Sequence, residues 1–495
     1  MRNRQPAPVF SLLAPCLLAA LVLLASDLSA AASPQPVLRA GAAAIDITPT
    51  VLPAPIGNGW TRRMVSKVHD PLWARALVLD DGVTQIAMVV VDSTLVSREI
   101  YDDAKRAAEK ATGIPAAHML MSATHNHSAP AAAELALNRP DEHYPKLLRE
   151  KLAEAVIAAH RRLEPAKVGV AAVDEPGEVF CRRWIVTPGK IPPDPFGHRT
   201  DRAKMNPGFL GADLLEPTSP VDPQLSIIAA QALDGRPIAL FATYSLHYVG
   251  GVPADSFSAD YFAEFAHQVK ARLKGDDRFT AAMANGTSGD VNNVDVRHPP
   301  ARGEKRPEPM QRIREVGAKL ADRAVEAYGG MKMNAGLKLA VLERRLTVKH
   351  RLPSAADVAW AAQMLGPLTA DTVKLVANIP GVYAYETLKM AAPDFPQTAE
   401  LKLQVMRIGD AAMATIPNEA FAQTGLNIRA ASPFQTTFTV GLANGYHGYL
   451  PTPQQHALGG YETWRCRWSP LEIEASTKIE ATLADMLRSL AKAGR

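Results

Sequence analysis

The segment Gln85-Ile86-Ala87-Met88-Val89-Val90-Val91-Asp92 is a continuous apolar run that ends at a carboxylate. A run of this kind is typical of a strand that is buried on both faces of a sheet. Residues 97–112 follow with an amphipathic pattern and stop at Gly113, which predicts a helix that Ser97 can cap. A second apolar run at 118–124 predicts another buried strand. Together the three segments predict a βαβ unit of an α/β fold.

The segments around this unit extend the same architecture. Residues 224–244 and 401–416 each predict a β-hairpin with a Gly-containing turn, and hairpins beside βαβ units indicate a mixed sheet. Residues 469–490 predict a C-terminal helix that packs back on the domain. We therefore expect an α/β fold with a mixed β-sheet core flanked by helices, in one large catalytic domain. The proline-rich stretches 187–223 and 296–309 predict long loops of the kind that form lids or binding walls.

The composition excludes several classes of protein. The chain has 495 residues, of which 47% are apolar and 21% are charged. These values are those of an ordinary globular protein, and they exclude a disordered, collagen-like or disulfide-scaffold chain. The formal net charge is only +4, and no basic block stands out. Nucleic acid is therefore not an expected partner.

The N-terminus has the pattern of a secretory signal peptide. Arg2 and Arg4 precede an apolar run over residues 9–25, and small residues follow at 29–33. We expect residues 1–32 to be removed, which leaves 33–495 as the mature domain of a secreted or periplasmic protein. A retained N-terminal anchor is the alternative. The remaining cysteines, Cys181 and Cys466, are either two buried thiols or one disulfide, because sequence spacing does not fix their distance in space.

Polar side chains follow several of the predicted strands. His125 and His127 come directly after the strand 118–124, and side-chain alternation on an extended chain points both imidazoles to one face. Ligands bind at strand ends in α/β sheets, and imidazole is a common zinc ligand. One such ending alone is as well explained by a capped turn. Five endings together favour a shared polar cleft, and the residues that they carry are His125, His247, Glu419, Tyr449 and Asp290.

A series of short motifs runs along the chain. They are Gly41–Pro49, His69–Ala76, Ala123–Ser128, Cys181-Arg182-Arg183, His247, Gly289-Asp290-Val291, Pro417-Asn418-Glu419, Gly441–Asn444, Tyr446, Tyr449 and Tyr461-Glu462. In this order and at these spacings the sequence resembles the N-terminal catalytic domain of the neutral/alkaline, non-lysosomal ceramidases. The resemblance extends from about residue 40 to residue 469, which is nearly the whole of the expected mature chain.

The resemblance implies a zinc ion that is held by two histidines, a glutamate and a tyrosine, with an open position for water. Matched motif by motif, these ligands are His125, His247, Glu419 and Tyr449. His127 would then support a ligand or face the substrate, and Arg182 would face the polar head of the substrate. Tyr461 would support the oxyanion, and His69 matches a histidine near the site.

The sequence also departs from the family pattern. Asn292 stands where the family has a serine that is thought to act at the scissile amide, and Ser288 lies four residues earlier. Alanines replace the family glycines at 129–132. The chain ends at Arg495, where full ceramidases continue into an immunoglobulin-like domain, so no C-terminal immunoglobulin-like domain is expected. The resemblance therefore supports the expected fold and metal site more strongly than it supports a ceramide substrate.

The expected function is that of a secreted, zinc-dependent amidohydrolase that cleaves the N-acyl C–N bond of a ceramide-like lipid by zinc-activated water. Zinc lowers the pKa of bound water and polarises a carbonyl. His127 or Asp290 could transfer protons, and Asn292 could orient the substrate. Two alternatives stay open: the same zinc hydrolase with a non-lipid amide or ester substrate, and a non-catalytic binding protein. The expected partner is a small-molecule or lipid amide, with peripheral membrane contact as an option and no obligate protein partner.

Overall fold

The computed structural model describes residues 37–493, except for 210, 212, 302–304, 306 and 367–377, together with residues 1, 3 and 5. Apart from those three positions, the predicted signal peptide of residues 1–32 lies outside the described residues. Within the described part of the chain, no helix is both long enough and apolar enough to cross a membrane.

The main sheet has eight strands and is mixed. In spatial order, the strands are Thr280–Asn285, Pro237–Tyr244, Gln224–Ala232, Glu164–Asp174, Arg39–Asp46, Trp73–Asp80, Gln85–Val91 and Met119–Ala123. The pair at each edge is parallel, and the pairs between them are antiparallel. The predicted βαβ unit forms one edge, and the predicted hairpin 224–244 lies near the other. The predicted α/β class with a mixed sheet is therefore confirmed.

A second sheet of four strands packs against the main sheet. Its strands are Leu339–Lys349, Thr398–Ile408, Ala411–Thr415 and Thr436–Val440, and the last pair is parallel. Ile228 and Phe241 of the main sheet share one apolar core with Met406 and Phe438 of the second sheet. The hairpin 401–416 and the apolar strand that ends before Gly441 were predicted, whereas their assembly with Leu339–Lys349 into one sheet was not, because that pairing is long-range.

Helices cover the outer faces of both sheets. The helices Arg98–Thr112 and His143–Arg161 pack on one half of the main sheet, and Tyr261–Leu273 and Gln311–Gly329 pack on the other. Helix Ala475–Ala493 covers the second sheet. The prediction that a C-terminal helix packs back on the domain is thus confirmed. Further helices are Ala355–Leu365, Ile379–Met390, Ala422–Ala430 and Pro453–Leu458, with short 3-10 turns at Ala116–His118, Pro176–Glu178 and Tyr461–Thr463.

The loops around the two sheets contain short paired strands. The stretch 187–223, which was predicted to have little regular structure, contains strands Ala203–Met205 and Leu214–Pro217, both paired with Arg183–Val186. That prediction was wrong for these seven residues, since their strand partner lies outside the stretch. The other short strands are Ala54–Pro55, Met64–Val65, Lys67–Val68, Phe180–Cys181, Ser256–Phe257, Val291–Asn292, Glu419–Ala420 and Tyr449–Leu450.

The ends of the parallel strands are joined to one another by backbone hydrogen bonds. Ala123 N donates to Leu442 O at 3.2 Å, and Gly441 N donates to Asn285 O at 2.9 Å. These bonds connect the two edges of the main sheet with the second sheet at the carboxyl ends of their strands. The segments that leave these strands therefore meet, and they carry His125, His247, Glu419 and Tyr449.

Candidate metal centre

Three histidines and a glutamate converge where the strands end. The Nε2 atom of His125 lies 3.0 Å from Nε2 of His247 and 3.3 Å from Nε2 of His127. The Oε2 atom of Glu419 lies 3.1 Å from Nε2 of His125 and 3.8 Å from Nε2 of His247. His125, His247 and Glu419 are each at most 5% exposed. The structure thus brings together residues that are far apart in the sequence.

The hydrogen bonds of the histidines fix the direction of their lone pairs. Nδ1 of His125 lies 2.8 Å from Thr94 O, and Nδ1 of His247 lies 3.0 Å from Ser288 O. A carbonyl oxygen only accepts, so each Nδ1 carries a hydrogen and, in the neutral imidazole, each Nε2 presents a lone pair. Burial, assisted by the positive charge of Arg182, lowers the pKa of His247 well below its usual range. The two Nε2 atoms therefore face each other as acceptors.

This donor set fits a metal ion. A single proton could satisfy only one of the contacts at Nε2 of His125, and Glu419 Oε2 is buried without a hydrogen-bond partner. Ligand atoms that share a tetrahedral zinc at 2.0–2.2 Å lie about 3.3–3.6 Å apart. The observed separations of 3.0, 3.1, 3.3 and 3.8 Å span that range. The group His125, His127 and His247 can therefore hold a metal ion.

Two tyrosines surround Glu419. The hydroxyl of Tyr446 donates to Glu419 Oε1 at 2.9 Å, which leaves Oε2 directed at the histidines. Tyr449 pairs with Glu419 in a short parallel strand pair, and its hydroxyl accepts a hydrogen bond from Arg182 Nη2 at 3.2 Å. Burial raises the pKa of Tyr449 well above its usual range. The predicted ligand Tyr449 thus lies beside the glutamate, whereas Tyr446 was noted in a motif without a predicted role.

Arg182 lies next to the histidines and is only 5% exposed. Its Nε donates to Glu462 at 3.1 Å and its Nη2 donates to Gly289 O at 2.7 Å, while Nη1 faces His247 Nε2 at 3.4 Å. Burial acts to lower the pKa of Arg182, but Tyr449 and Glu462 raise it overall, so the guanidinium stays charged. Glu462 is therefore a further residue of the site, since it balances this charge.

His127 and Tyr461 lie beside the predicted ligands. The ring of His127 stacks on Tyr248, with centroids 3.9 Å apart and an interplanar angle of 21°. Burial, with His125 as the next contribution, lowers the pKa of His127 well below its usual range, so the imidazole is neutral. The ring of Tyr461 is 5.8 Å from that of Tyr449 and belongs to a cluster of aromatic side chains that includes Trp60.

Asp290 holds loops together and does not face the histidines. One of its carboxylate oxygens accepts a hydrogen bond from Ser219 Oγ at 2.6 Å, and the other accepts from Ala422 N at 2.8 Å. Burial raises the pKa of Asp290. These contacts suit a structural role better than the proton transfer that we considered from the sequence. The thiols of Cys181 and Cys466 are both buried and are not bonded to each other.

A cavity of about 250 Å³ opens beside Arg182 and His247. Asn292 lines it, as expected of a residue that contacts the substrate. The other lining residues are Asn206, Gly208, Phe209, Tyr248, Val249, Asn293, Val294 and Val296. His69 lies elsewhere: it lines a larger cavity of about 720 Å³ with Asp70, Arg75 and Asp260, and that lining includes none of the three clustered histidines.

Comparison with solved structures shows the same fold in neutral ceramidases. The neutral ceramidase from Pseudomonas aeruginosa matches with a TM-score of 0.70 and 18% identity, over 92% of this chain and 75% of that chain. A structure described as ceramidase complexed with C2 matches with a TM-score of 0.68 and 17% identity, over 92% and 76% of the two chains. No protein-family model and no curated protein matches the sequence. The predicted resemblance to neutral ceramidases is thus confirmed in the fold.

Proposed function

We propose that this chain, which has the fold of the neutral ceramidases, is a zinc-dependent hydrolase of N-acyl amides. The observation that carries the proposal is the convergence of His125 Nε2, His247 Nε2 and Glu419 Oε2 as mutually facing acceptors in a buried site. Three protein ligands of nitrogen and oxygen type are the usual set of a catalytic zinc site. Tyr449 is the proposed fourth ligand through the family resemblance.

The side chains around these ligands support amide hydrolysis. A bound zinc ion supplies a Lewis acid and lowers the pKa of water. His127, as a neutral imidazole next to the ligands, would accept a proton at Nε2 and return it to the leaving nitrogen. Arg182 carries a permanent charge beside the ligands, and Tyr461 lies close to Tyr449. Tyr461 would stabilise the negative charge that develops on the carbonyl oxygen, and Arg182 would face the polar head of the substrate.

Metal analysis tests the proposal directly. Purified protein should contain one zinc per chain, and it should hydrolyse a panel of N-acyl amides in a chelator-sensitive manner that zinc restores. Elemental analysis that finds no stoichiometric transition metal would overturn the metal site. Stoichiometric zinc without hydrolysis of any amide or ester in the panel would favour a binding protein with a ceramidase fold.

The proposal includes export from the cytoplasm. The support is the N-terminal sequence alone, in which two arginines, an apolar run and small residues follow one another before residue 33. N-terminal sequencing of the native protein should recover a chain that starts close to Ala31 or Ser33. Recovery of Met1 from the mature protein would contradict it.

A further inference from the structure

The cavity beside the candidate metal centre is lined by a cationic side chain but by no anionic one. Its lining contains one guanidinium, that of Arg182, and three carboxamides, but no aspartate or glutamate. The balance of donors and acceptors left free by the protein decides which ligand can be bound without unpaired groups. Arg182, Asn206 and Asn292 of this lining can therefore be followed to their partners.

Asn206 and Asn292 bond to each other across this cavity. Asn292 Nδ2 donates to Asn206 Oδ1 at 2.7 Å, and Asn292 Oδ1 accepts from Val294 N at 3.0 Å. The acceptor oxygens of both carboxamides are thus engaged by the protein. Asn206 Nδ2 has no acceptor among the described residues, so two N–H groups remain available at the cavity.

The backbone holds Asn206 in a fixed position next to Arg182. Asn206 N donates to Arg182 O at 2.7 Å, and Asn206 has φ +45°, in the left-handed region that few non-glycine residues adopt. Asn292 is fixed by the strand pairing of Val291–Asn292 with Phe180–Cys181, directly before Arg182. Strain of this kind is found at functional sites, where the surrounding structure maintains it.

Arg182 contributes one more donor. Its Nε and Nη2 have carboxylate, carbonyl and phenol acceptors, but Nη1 faces only Nε2 of His247 at 3.4 Å. A lone pair at His247 Nε2 that binds a metal no longer accepts from Nη1. The free groups that Arg182 and Asn206 present are then donors with a neighbouring positive charge, and a carboxylate is the group that accepts from such donors most strongly.

The size of the cavity limits the substrate further. Its volume of about 250 Å³ is below the roughly 300–1,000 Å³ of pockets that bury drug-sized ligands. A small head and the first part of one acyl chain fit, the latter against Phe209, Val294 and Val296. Phe209 and Val294 of the lining are exposed, so the cavity opens to solvent and the longer part of an acyl chain would lie outside it, without apolar contacts from this lining.

We propose that Arg182 and Asn206 form a carboxylate subsite, with Asn206 as a specificity-determining residue, and that the substrate is an N-acyl amino acid with a short acyl chain. This inference rests on the proposed amide hydrolysis. In the reaction, the amide C–N bond breaks, water supplies the oxygen of the new C–O bond, and the amine nitrogen takes up a proton. The products are a short carboxylic acid and a free amino acid.

Binding of two matched probes to the zinc-loaded protein tests the subsite without turnover. In 4-oxooctanoate a methylene replaces the amide nitrogen of N-pentanoylglycine, and 4-oxooctanamide is the same molecule without the charge. Calorimetry should show that the carboxylate probe binds roughly 10- to 100-fold more tightly, which is the range of a hydrogen bond to a charged group. Equal affinity for the two probes would overturn the proposal.

Two variants of Asn206 test whether this residue causes the preference for the carboxylate probe. Asn206→Asp keeps the acceptor for Asn292 but replaces the N–H donors with negative charge, and Asn206→Gly removes the donors at a φ that glycine adopts freely. Both should reduce the preference for the carboxylate probe to less than about threefold, with little change for the amide probe. Asn334→Asp, whose side chain lies outside the cavity lining, adds the same charge and should leave the preference intact. An unchanged preference in both Asn206 variants would overturn the proposal.

Hydrolysis separates this inference from the proposed function. N-pentanoylglycine should be cleaved with a higher kcat/KM than N-pentanoylglycinamide or a ceramide. Zinc-dependent cleavage of the glycinamide or ceramide without any preference for the carboxylate would refute the subsite and leave the hydrolase standing. Carboxylate-selective binding that is lost in Asn206→Asp, without hydrolysis of any amide, would refute the hydrolase and leave the subsite standing.

Discussion

Two regions of this molecule concentrate titratable side chains, and they differ in how those side chains are satisfied. At the metal centre, His125 Nε2, His247 Nε2 and Glu419 Oε2 face one another as acceptors, and the glutamate oxygen has no hydrogen-bond partner. In the larger cavity near His69, the carboxylate of Asp260 accepts from the backbone N–H groups of Val249, Gly250 and Tyr261. Asp260 is as deeply buried as His125, His247 and Glu419, but its carboxylate has hydrogen-bond donors in the protein and the facing acceptors of the metal centre do not.

The difference shows which property marks the functional site. Asp70, in the larger cavity, likewise accepts from Ser258 Oγ and from Ala259 N, so both of its carboxylate oxygens have donors in the protein. Buried acceptors that face each other cost free energy unless a cation joins them. Volume and the number of charged groups would favour the larger cavity. The unsatisfied acceptors instead identify the histidine cluster.

The largest expected effect is the loss of metal when His247 is replaced. His247→Ala removes one ligand and leaves a hole beside Glu419, so the variant should lose stoichiometric zinc and nearly all hydrolytic activity. Elemental analysis and kcat/KM on the same preparation measure both.

His267→Ala is the matched control, since His267 is an exposed histidine that lines the larger cavity. It should keep its zinc and its activity. Equal loss of zinc in the two variants would contradict the distinction between the two regions.

The second prediction concerns the pH dependence of stability in the larger cavity. Burial raises the pKa of Asp260 from 3.8 to about 6, against the opposing effect of its backbone hydrogen bonds. Between about pH 4 and pH 6 the folded protein holds this proton and the unfolded chain has lost it. The free energy of unfolding should therefore be highest below this window and fall by up to about 3 kcal/mol as the pH rises through it.

Asp260→Asn isolates this contribution, because asparagine keeps a side-chain oxygen as acceptor and tolerates the positive φ at this position but does not titrate. Chemical denaturation across the pH range should give a flatter curve for the variant than for the wild type between pH 4 and pH 6. Parallel curves would show that Asp260 has an ordinary pKa in the folded protein.

The third prediction concerns a residue that orients the proposed ligand Glu419 but is not itself a proposed ligand. Tyr446→Phe removes the hydrogen bond to Glu419 Oε1 and keeps the packing of the ring. Loss of a group that orients a metal ligand typically costs 10- to 100-fold in metal affinity or activity. Competition with a chelator should detect a weaker zinc affinity of this size. Tyr328→Phe, which removes a hydroxyl that Gln231 contacts elsewhere, should not change it.

The residues in these tests could not all be predicted equally well from the sequence. The apolar run before Asp92 is a local pattern that predicted the βαβ unit at one edge. The pair His125 and His127 after a strand indicated the histidine cluster, but the extended backbone assumed for it was wrong, since His125 has φ +65°. Glu419 and Tyr449 follow predicted strand ends, but their role as ligands came only from the family resemblance. Nothing local connects Asn206 with Asn292, which are 86 residues apart. Contacts of this kind depend on the packing of loops, and the sequence contains no periodic signal for them.

The smallest effect is expected for Ser288. The carbonyl of Ser288 accepts from His247 Nδ1, and this backbone contact survives in Ser288→Ala. The hydroxyl has no hydrogen bond to the histidines that would mark it as a displaced nucleophile. We therefore expect Ser288→Ala to retain zinc and to lose less than about tenfold in kcat, which is under ~1.4 kcal/mol of activation free energy. A variant that keeps its zinc but has no turnover would instead assign Ser288 as the nucleophile, and the metal centre would then act mainly on the carbonyl.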